Sequence, residues 1–481
     1  MRTTLLLFSF LCFTTLVQAQ NTLKGRVISA ENGETLPRAS VYLSNTTLGT
    51  VTDLDGNFEL AKIPELPFNL NISYVGYHTQ VVEINQLSAE PIEIKLKPDV
   101  KMLGEVVVNA DNDRLWAQFG AQFLKDFIGY SEFAEEVELQ NPEDLILNFD
   151  QETQVLSVYA SEPLVILNKA LGYKIKYWLD AYEYSFRNGQ IFYKGYPFFE
   201  DLALAEKSKR KLKTWRKNRN SAYNGSLNHF MQALYHNDLK AQGFKVDLMD
   251  RVTVSQYYEK TEKKVDTLFY NNASVEYIYN TIKSKMDNPK YANIFLNNIR
   301  KWYANPEAKT YRFTLSETRN GKREEEAFEF EKDDLNPEKI VTKRYPVDPE
   351  IEKQARNGKI AVITAQNVNA ADSLVEEDGG LKSLDFDKYW YVTYLKEKEE
   401  KAFQQRSLRF KEYVAKDQTS IISITEPEGL KIFSNGHFSP PSGLLTEGYW
   451  AFEKVDKLLP LDFTGDLMKK SVFKNQVESD D

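Results

Sequence analysis

The chain has 481 residues, with 61 Lys plus Arg against 70 Asp plus Glu, a formal net charge of -9 and one Cys. At 27% charged, 42% hydrophobic and 13% aromatic residues it is neither a disordered tail nor a collagen-like repeat, and it has the apolar material for a core. The acidic balance gives nucleic-acid phosphates no overall attraction, so no nucleic-acid partner is expected.

Met1 and Arg2 give a short basic start, Thr3 to Val17 is apolar but for Thr and Ser, and Val17-Gln18-Ala19 ends the run. This pattern predicts a secretory signal peptide over residues 1–19, cleaved after Ala19. About 15 apolar residues fall short of the roughly 20 that a membrane-spanning helix needs. Cys12 follows bulky Phe10 and Leu11 rather than small residues, which argues against a lipid anchor there. A mature chain without Cys would draw no disulfide from an oxidising compartment. No spanning segment is expected after the leader, and the expected location is the periplasm or the outer membrane.

From Thr22 to about Asn109 the hydrophobic pattern has period two. Phe68, Leu70, Ile72 and Tyr74 alternate with Asn69, Asn71 and Ser73, and Ile92, Ile94 and Leu96 alternate with Glu93, Lys95 and Lys97; each run reads as a strand with one wet face. Asn32-Gly33, Asp55-Gly56, Pro64 and Pro67 supply the turns. Several short strands so joined predict a small antiparallel sandwich. Asp53-Leu54-Asp55-Gly56-Asn57 has the alternating oxygens of a calcium loop without its late Glu, and reads better as a hairpin between Thr50–Thr52 and Phe58–Leu60.

Four blocks in order, Lys24-Gly25-Arg26-Val27, Gly33-Glu34-Thr35-Leu36-Pro37-Arg38-Ala39-Ser40-Val41, Gly49-Thr50-Val51-Thr52-Asp53-Leu54-Asp55-Gly56-Asn57-Phe58 and Ile72-Ser73-Tyr74-Val75-Gly76-Tyr77, resemble the carboxypeptidase-like regulatory domain over residues 21–109. The resemblance implies a prealbumin-like, seven-stranded sandwich. In Bacteroidota this module precedes many outer-membrane TonB-dependent receptors and heads unrelated exported proteins. Leu103-Gly104-Glu105-Val106-Val107-Val108 resembles the segment that leads towards the receptor plug, but the chain beyond it lacks the pattern of a plug and barrel.

Trp116, Phe119, Phe123 and Phe127 make a helical stripe, expected in a helical linker over 110–140. Strands are predicted at Leu145–Phe149, Val155–Tyr159, Leu164–Leu167, Tyr173–Leu179, Tyr182–Phe186 and Ile191–Tyr193, with Asn188-Gly189 as a hairpin turn. Leu227, Phe230, Met231 and Leu234 follow the cap Gly225-Ser226, a helix near 226–237. A second β-rich stretch runs from about Lys245 to Tyr345 with Asn320-Gly321 as a turn, and Asn357–Ser383 reads as a loop. Trp390–Leu395, Ile421–Ile424 and the cluster Tyr449, Trp450 and Phe452 mark the last portion. The expected organisation is a β-rich body over 141–345, completed by 346–481. The fold class is mainly β with helices (α+β). The motifs Ala170-Leu171-Gly172-Tyr173, Gly195-Tyr196-Pro197-Phe198-Phe199 and Glu447-Gly448-Tyr449-Trp450 look like those of the uncharacterised body of exported Bacteroidota proteins with this module, a resemblance that implies no activity.

The usual signs of catalysis are missing. The four His are His78, His229, His236 and His437; His229 and His236 could share a helix face but lack a carboxylate at zinc-ligand spacing. There is no nucleophile elbow, P-loop or dinucleotide fingerprint, and no metal or other cofactor is expected. Any two of 70 acidic residues could form a glycosidase pair, and nothing marks one. The sharpest charge feature is Lys207, Lys209, Arg210, Lys211, Lys213, Arg216, Lys217 and Arg219, a candidate patch for an anionic partner or a solvated helix. A membrane barrel is disfavoured by the helical stripes and charged segments such as Glu397–Lys401. The expectation is an exported, non-catalytic cell-envelope protein whose partner is an envelope protein or glycan. The alternatives are an envelope hydrolase acting on glycans or peptides and an accessory to a TonB-dependent uptake system.

Overall fold

The computed structural model describes residues 22–98 (except 62, 64–67, 85 and 89), 110–260, 266–270, 289–319, 322–332, 340–346, 351, 354–355, 359–377, 381–406 and 413–469. The expected leader with Cys12, the segment Leu103–Val108 and the turn Asn320-Gly321 lie outside the described residues.

The N-terminal module is a β-sandwich. Its strands are β1 (Thr22–Ser29), β2 (Ser40–Leu43), β3 (Gly49–Val51), β4 (Asn57–Ala61), β5 (Phe68–Ser73), β6 (Gln80–Ile84) and β7 (Ile92–Leu96). They form two sheets ordered β4-β1-β7 and β3-β2-β5-β6. The inward set of each strand, including Leu23, Val27, Val41, Phe58, Leu70, Ile72 and Ile94, fills the space between the sheets. All pairings are antiparallel except β1 with β7, which run parallel with Val27 opposite Ile94. Gly25 is required on β1, because a Cβ there would lie 2.5 Å from the Phe58 ring and 2.7 Å from the Ile92 carbonyl. The expected hairpin at Asp55-Gly56 is instead a corner: β3 and β4 belong to different sheets. Asp53 closes it, accepting the backbone N–H of Asp55 at 2.9 Å and of Asn57 at 2.8 Å. The Asn57 bond is the main reason its carboxyl sits below the ordinary range.

The body begins with α1 (Ala110–Ile128). Its stripe residues Phe119, Phe123 and Phe127 are buried in one core with Leu145, Leu156, Ile166, Ile175 and Tyr177, so α1 is part of the body's core rather than a linker. It covers a six-stranded sheet of β8 (Val137–Leu139), β9 (Leu145–Asp150), β10 (Val155–Ala160), β11 (Leu164–Asn168), β12 (Tyr173–Ser185) and β13 (Ile191–Asp201). The two strands predicted at Tyr173–Leu179 and Tyr182–Phe186 are the single strand β12, with a register shift between Leu179 and Ala181. One edge of β12 serves β11 along its first half and β10 at its end, while β13 runs along the other. Pro197 is tolerated because, among the described residues, β12 is the one strand that β13 pairs with, its other edge meeting only the isolated bridge of Thr46 to Phe198.

The sandwich is fastened to the body. Asn45 donates its N–H to the Pro197 carbonyl at 2.8 Å, and Phe199 donates to Thr46 at 3.1 Å. The Tyr42 ring stacks on Trp178 with centroids 4.4 Å apart, and Trp178 Nε1 donates to Ser73 Oγ at 2.9 Å.

After β13 come α2 (Lys209–Tyr223) and α3 (Leu227–Tyr235), capped by Ser208 and Ser226, and then β14 (Phe244–Thr253). Residues 247–366 form a compact unit of their own, and the rest of the chain forms the other. The division expected at 345/346 therefore falls inside a unit, because the chain returns through β19 (Lys359–Ala365) to pair with β14, Thr253 opposite Lys359. Within this unit lie α4 (Val254–Lys260), β15 (Asp266–Tyr270), α5 (Pro289–Ala304), β16 (Thr310–Arg319), β17 (Lys322–Lys332) and β18 (Ile340–Pro346). Its antiparallel sheet is ordered β15-β18-β17-β16, and Phe295, Ile299 and Trp302 of α5 are buried with Phe328, Phe330 and Ile340.

The remaining chain completes the first unit with β20 (Leu374–Glu376), β21 (Lys382–Leu384), β22 (Tyr389–Lys398), β23 (Asp417–Ile424), β24 (Leu430–Ile432), β25 (Phe438–Ser439) and β26 (Leu444–Gly448). β20-β21-β24-β25 form one antiparallel sheet, and β23 pairs with both β22 and β26. The stretch 357–383, expected as a loop, thus carries β19, β20 and the start of β21; these strands gain their order from distant partners, which local composition does not record. Among the described residues no helix is long and apolar enough to cross a membrane.

Candidate functional site

The basic run lies in α2 and the turn before it, and the structure divides its members. Arg219 leaves the set available to an outside anion. It is buried, its guanidinium grips the Asp201 carboxylate at 2.7 and 3.0 Å, and it donates to the carbonyls of Leu171 and Gly172 at 2.7 and 3.0 Å. Its plane lies over the Tyr173 ring, 3.8 Å from the centroid. Lys211 pairs with Glu206 and Arg216 with Asp466. Lys207, Lys209, Arg210, Lys213 and Lys217 are exposed and make no ion pair among the described residues. What remains of the patch is a run of solvated cations.

His229 and His236 are structural in their contacts. His229 is buried on α3; its Nδ1 accepts the Gly225 N–H at 3.1 Å and its Nε2 faces Gln242 Oε1 at 3.0 Å. Burial pushes its pKa down to about 4. His236, just past α3, meets the Ser434 carbonyl at 3.2 Å through Nε2. The two do not converge on a common site.

Charge converges elsewhere, at a place the sequence did not mark. Lys457 is buried among carboxylates: its ammonium bonds Glu400 Oε1, lies 3.9 Å from Glu453 and 3.3 Å from Tyr449 Oη. Tyr449 Oη in turn donates to Glu400 at 3.0 Å. Burial pulls the Lys457 pKa down, but Glu453, Tyr449 and Glu400 together hold it above the ordinary lysine value. Glu453 is pushed up to about 8, chiefly by burial, with Lys457 working against the shift. Glu397 is also raised by burial, and two amides reach towards it, Asn224 at 3.4 Å and Gln418 at 3.5 Å. The Asp456 carboxylate accepts the Ser131 N–H at 2.9 Å, and burial raises its pKa. Glu397–Lys401 is expected from the sequence only as a charged segment that disfavours a membrane barrel. Its carboxylates are drawn inward because the aromatic turn Tyr449–Phe452 sits against them, a long-range placement with no local signal.

Beside this cluster, where the sandwich meets the body, lies a cavity of about 640 Å³. It is built by the turn after β2 with the start of β5, the first half of β13 with Tyr177 of β12, and residues between Phe433 and Leu461. Its wall carries Glu453, Lys454 and His437. Burial pushes Lys454 down to about 8 and His437 to about 4. Two or more ionisable groups with displaced pKa values therefore do share one concavity, the arrangement an active site requires. A second, more open groove of about 1080 Å³ runs along the same seam, lined by the loop Tyr74–Thr79, Val81 and the turn Tyr159–Pro163. Val75, Val81 and Tyr159 are exposed in it.

Residues 23–108 match the sequence profile of the CarboxypepD_reg-like domain family, and the N-terminal sandwich is such a domain. The chain is 35% identical over 125 residues to TonB-dependent receptor P39 of Formosa agariphila, covering 26% of this chain and 11% of that one. It is 38% identical over 90 residues to TonB-dependent receptor SusC of Bacteroides thetaiotaomicron, covering 18% of this chain and 8% of that receptor. TonB-dependent receptor P3 of Formosa agariphila is 28% identical over 108 residues, 22% of this chain and 10% of the receptor. Each match therefore spans about a tenth of the curated relative's length.

Proposed function

We propose that the chain is an exported, non-catalytic cell-envelope protein that works beside a TonB-dependent uptake system and binds a protein partner through the seam between its sandwich and its body. One observation carries this reading: a module shared with TonB-dependent receptors is built onto a different body, with an open groove and the exposed Val75, Val81 and Tyr159 along the join. Exposed apolar groups in one concavity favour a partner that covers them. The contacts of Asn45, Thr46 and Tyr42 with the body support presentation of both faces together. The test is fractionation of native envelopes, followed by crosslinking mass spectrometry with a photoreactive residue at Val75. The reading expects the chain in the envelope fraction and a crosslink to an outer-membrane receptor; recovery in the cytosol, or no crosslink at Val75 while a control site on the exposed face of α2 behaves alike, overturns it.

A second reading, a hydrolase acting on glycans or peptides, draws on Glu453 and Lys454 both lining the smaller cavity. A carboxyl held protonated near neutral pH is what a general acid needs. Turnover of an oligosaccharide or oligopeptide panel that disappears in Glu453→Gln would replace the first reading with this one.

A further inference from the structure

We propose that the cavity at the seam beside Lys457 binds a small apolar molecule bearing one carboxylate, with Lys454 as its counter-ion. Lys454 stands half-buried on the wall with its ammonium over the Tyr193 ring, 5.2 Å from the centroid. Its ammonium makes no ion pair or hydrogen bond among the described residues. A cation removed from water without an anion is held at a cost that a bound carboxylate would relieve.

Among the described residues none of the neighbouring carboxylates forms an ion pair with Lys454. Asp126 accepts from Gln122 and Tyr130 at 2.6 Å each and faces Arg406 at 3.4 Å. The Asp456 carboxylate accepts the Ser131 N–H through Oδ2, its Oδ1 having no hydrogen-bond partner, and makes no ion pair with Lys454 among the described residues; Glu453 lies 3.9 Å from Lys457. Among the described residues Lys454 is thus the cation of this region without an ion pair, and a bound carboxylate would supply one. The rest of the wall selects the ligand's other end: Leu43, Phe68, Ile191, Phe433, Leu444 and Trp450 line it, and a volume of about 640 Å³ is in the range of small-molecule sites. His437 and Tyr193 add no charge near neutral pH, since burial holds the first down to about 4 and the second up to about 12.

The pH dependence follows from the groups that face the site. Burial, then Arg406, lowers Lys454 to about 8, with Asp126 and Asp456 opposing, so the ammonium is lost as pH rises through that value. Glu453, raised to about 8, gains its negative charge over the same interval. Both changes weaken the hold on an anion in alkali. The inference concerns the cavity alone, so failure of the crosslinking experiment above leaves it standing.

Isothermal titration of the mature full-length chain with octanoate and with 4-phenylbutyrate tests it, the two acids separating a chain-shaped from a ring-bearing ligand. At pH 7 at least one acid should bind one site per chain. Octanamide or 4-phenylbutyramide should bind at least tenfold more weakly than its acid. Moving to pH 9 should weaken the acid by about tenfold or more. Lys454→Met should lose the acid, Lys454→Arg should keep it, and Lys217→Met should change nothing. Absence of binding by both acids, equal affinity for acid and amide, or unchanged affinity in a folded Lys454→Met variant would each overturn the assignment.

Discussion

Arg219 shows how little a residue's sequence neighbourhood says about its employment. It belongs to a basic run, yet it is the member spent entirely indoors, with two bonds to Asp201, two to backbone carbonyls and a face on Tyr173. Lysine keeps the charge and loses the fork. Arg219→Lys should lower the unfolding free energy by roughly 2 to 4 kcal/mol, while Lys213→Ala and Lys217→Ala should stay within about 0.5 kcal/mol, all read from urea titrations. His229 supplies a second prediction. Because Nδ1 accepts from Gly225, the ring proton must sit on Nε2, facing Gln242 Oε1. Its pKa is depressed from 6.5 to about 4, so its contribution to stability is present above the unfolded value and is lost as pH falls through the folded one. The advantage of the native chain over His229→Gln should shrink by roughly 2 to 3 kcal/mol between pH 7 and pH 4, measured by urea unfolding at each pH. An advantage that stays constant would show that the ring is not held neutral. At this scale the caps were legible, since Ser226 followed by an apolar stripe is a local pattern. The Glu397, Glu400, Glu453 and Lys457 cluster was not, because acidic and basic letters look alike whether solvated or buried.

Elements behaved as their periodicity demanded wherever one face alone was buried. The stripe of α1 and the alternation of β1 and β7 needed no tertiary information. β12 did need it: Asp180 interrupts the alternation, and only the sight of β13 running past the bulge joins the halves into one strand. The α5 helix offers an element-scale prediction. Its C-terminal carbonyls are met by a lysine from the sheet, Lys332 Nζ donating to Trp302 and Tyr303 at 3.1 Å each and to Asn305 at 2.8 Å. Helix ends leave such carbonyls without intrahelical partners, and a cation there also suits the helix dipole. Lys332→Met should weaken the last turn by about 1 to 2 kcal/mol. Faster amide hydrogen exchange over residues 296–304 than in a Lys301→Met control would register it; equal rates would mean that the ammonium merely lies nearby.

For the whole molecule, the sequence resolved the regulatory domain because its turns are encoded locally, and missed the boundaries of the body because these depend on which strands return to pair. The seam yields the remaining prediction. With Asn45, Thr46 and Asn45's carbonyl bonded to Pro197, Phe199 and Leu461, and Tyr42 stacked on Trp178, cleavage at a protease site engineered within 99–109 should leave the sandwich co-eluting with the body on gel filtration. The double change Tyr42→Ala with Trp178→Ala should let it separate after the cut. Separation of the unaltered chain would mean that the module is tethered by its linker alone.

The return of β19 alongside β14 has a practical corollary. Thr253 and Lys359 face each other in register, so the polypeptide from 254 to 358 leaves and rejoins at adjacent points, like a loop of rope tied off at a single cleat. Such a cassette can be traded for a two-residue Asn-Gly reverse turn, or for a fluorescent reporter, without asking the flanking strands to change course.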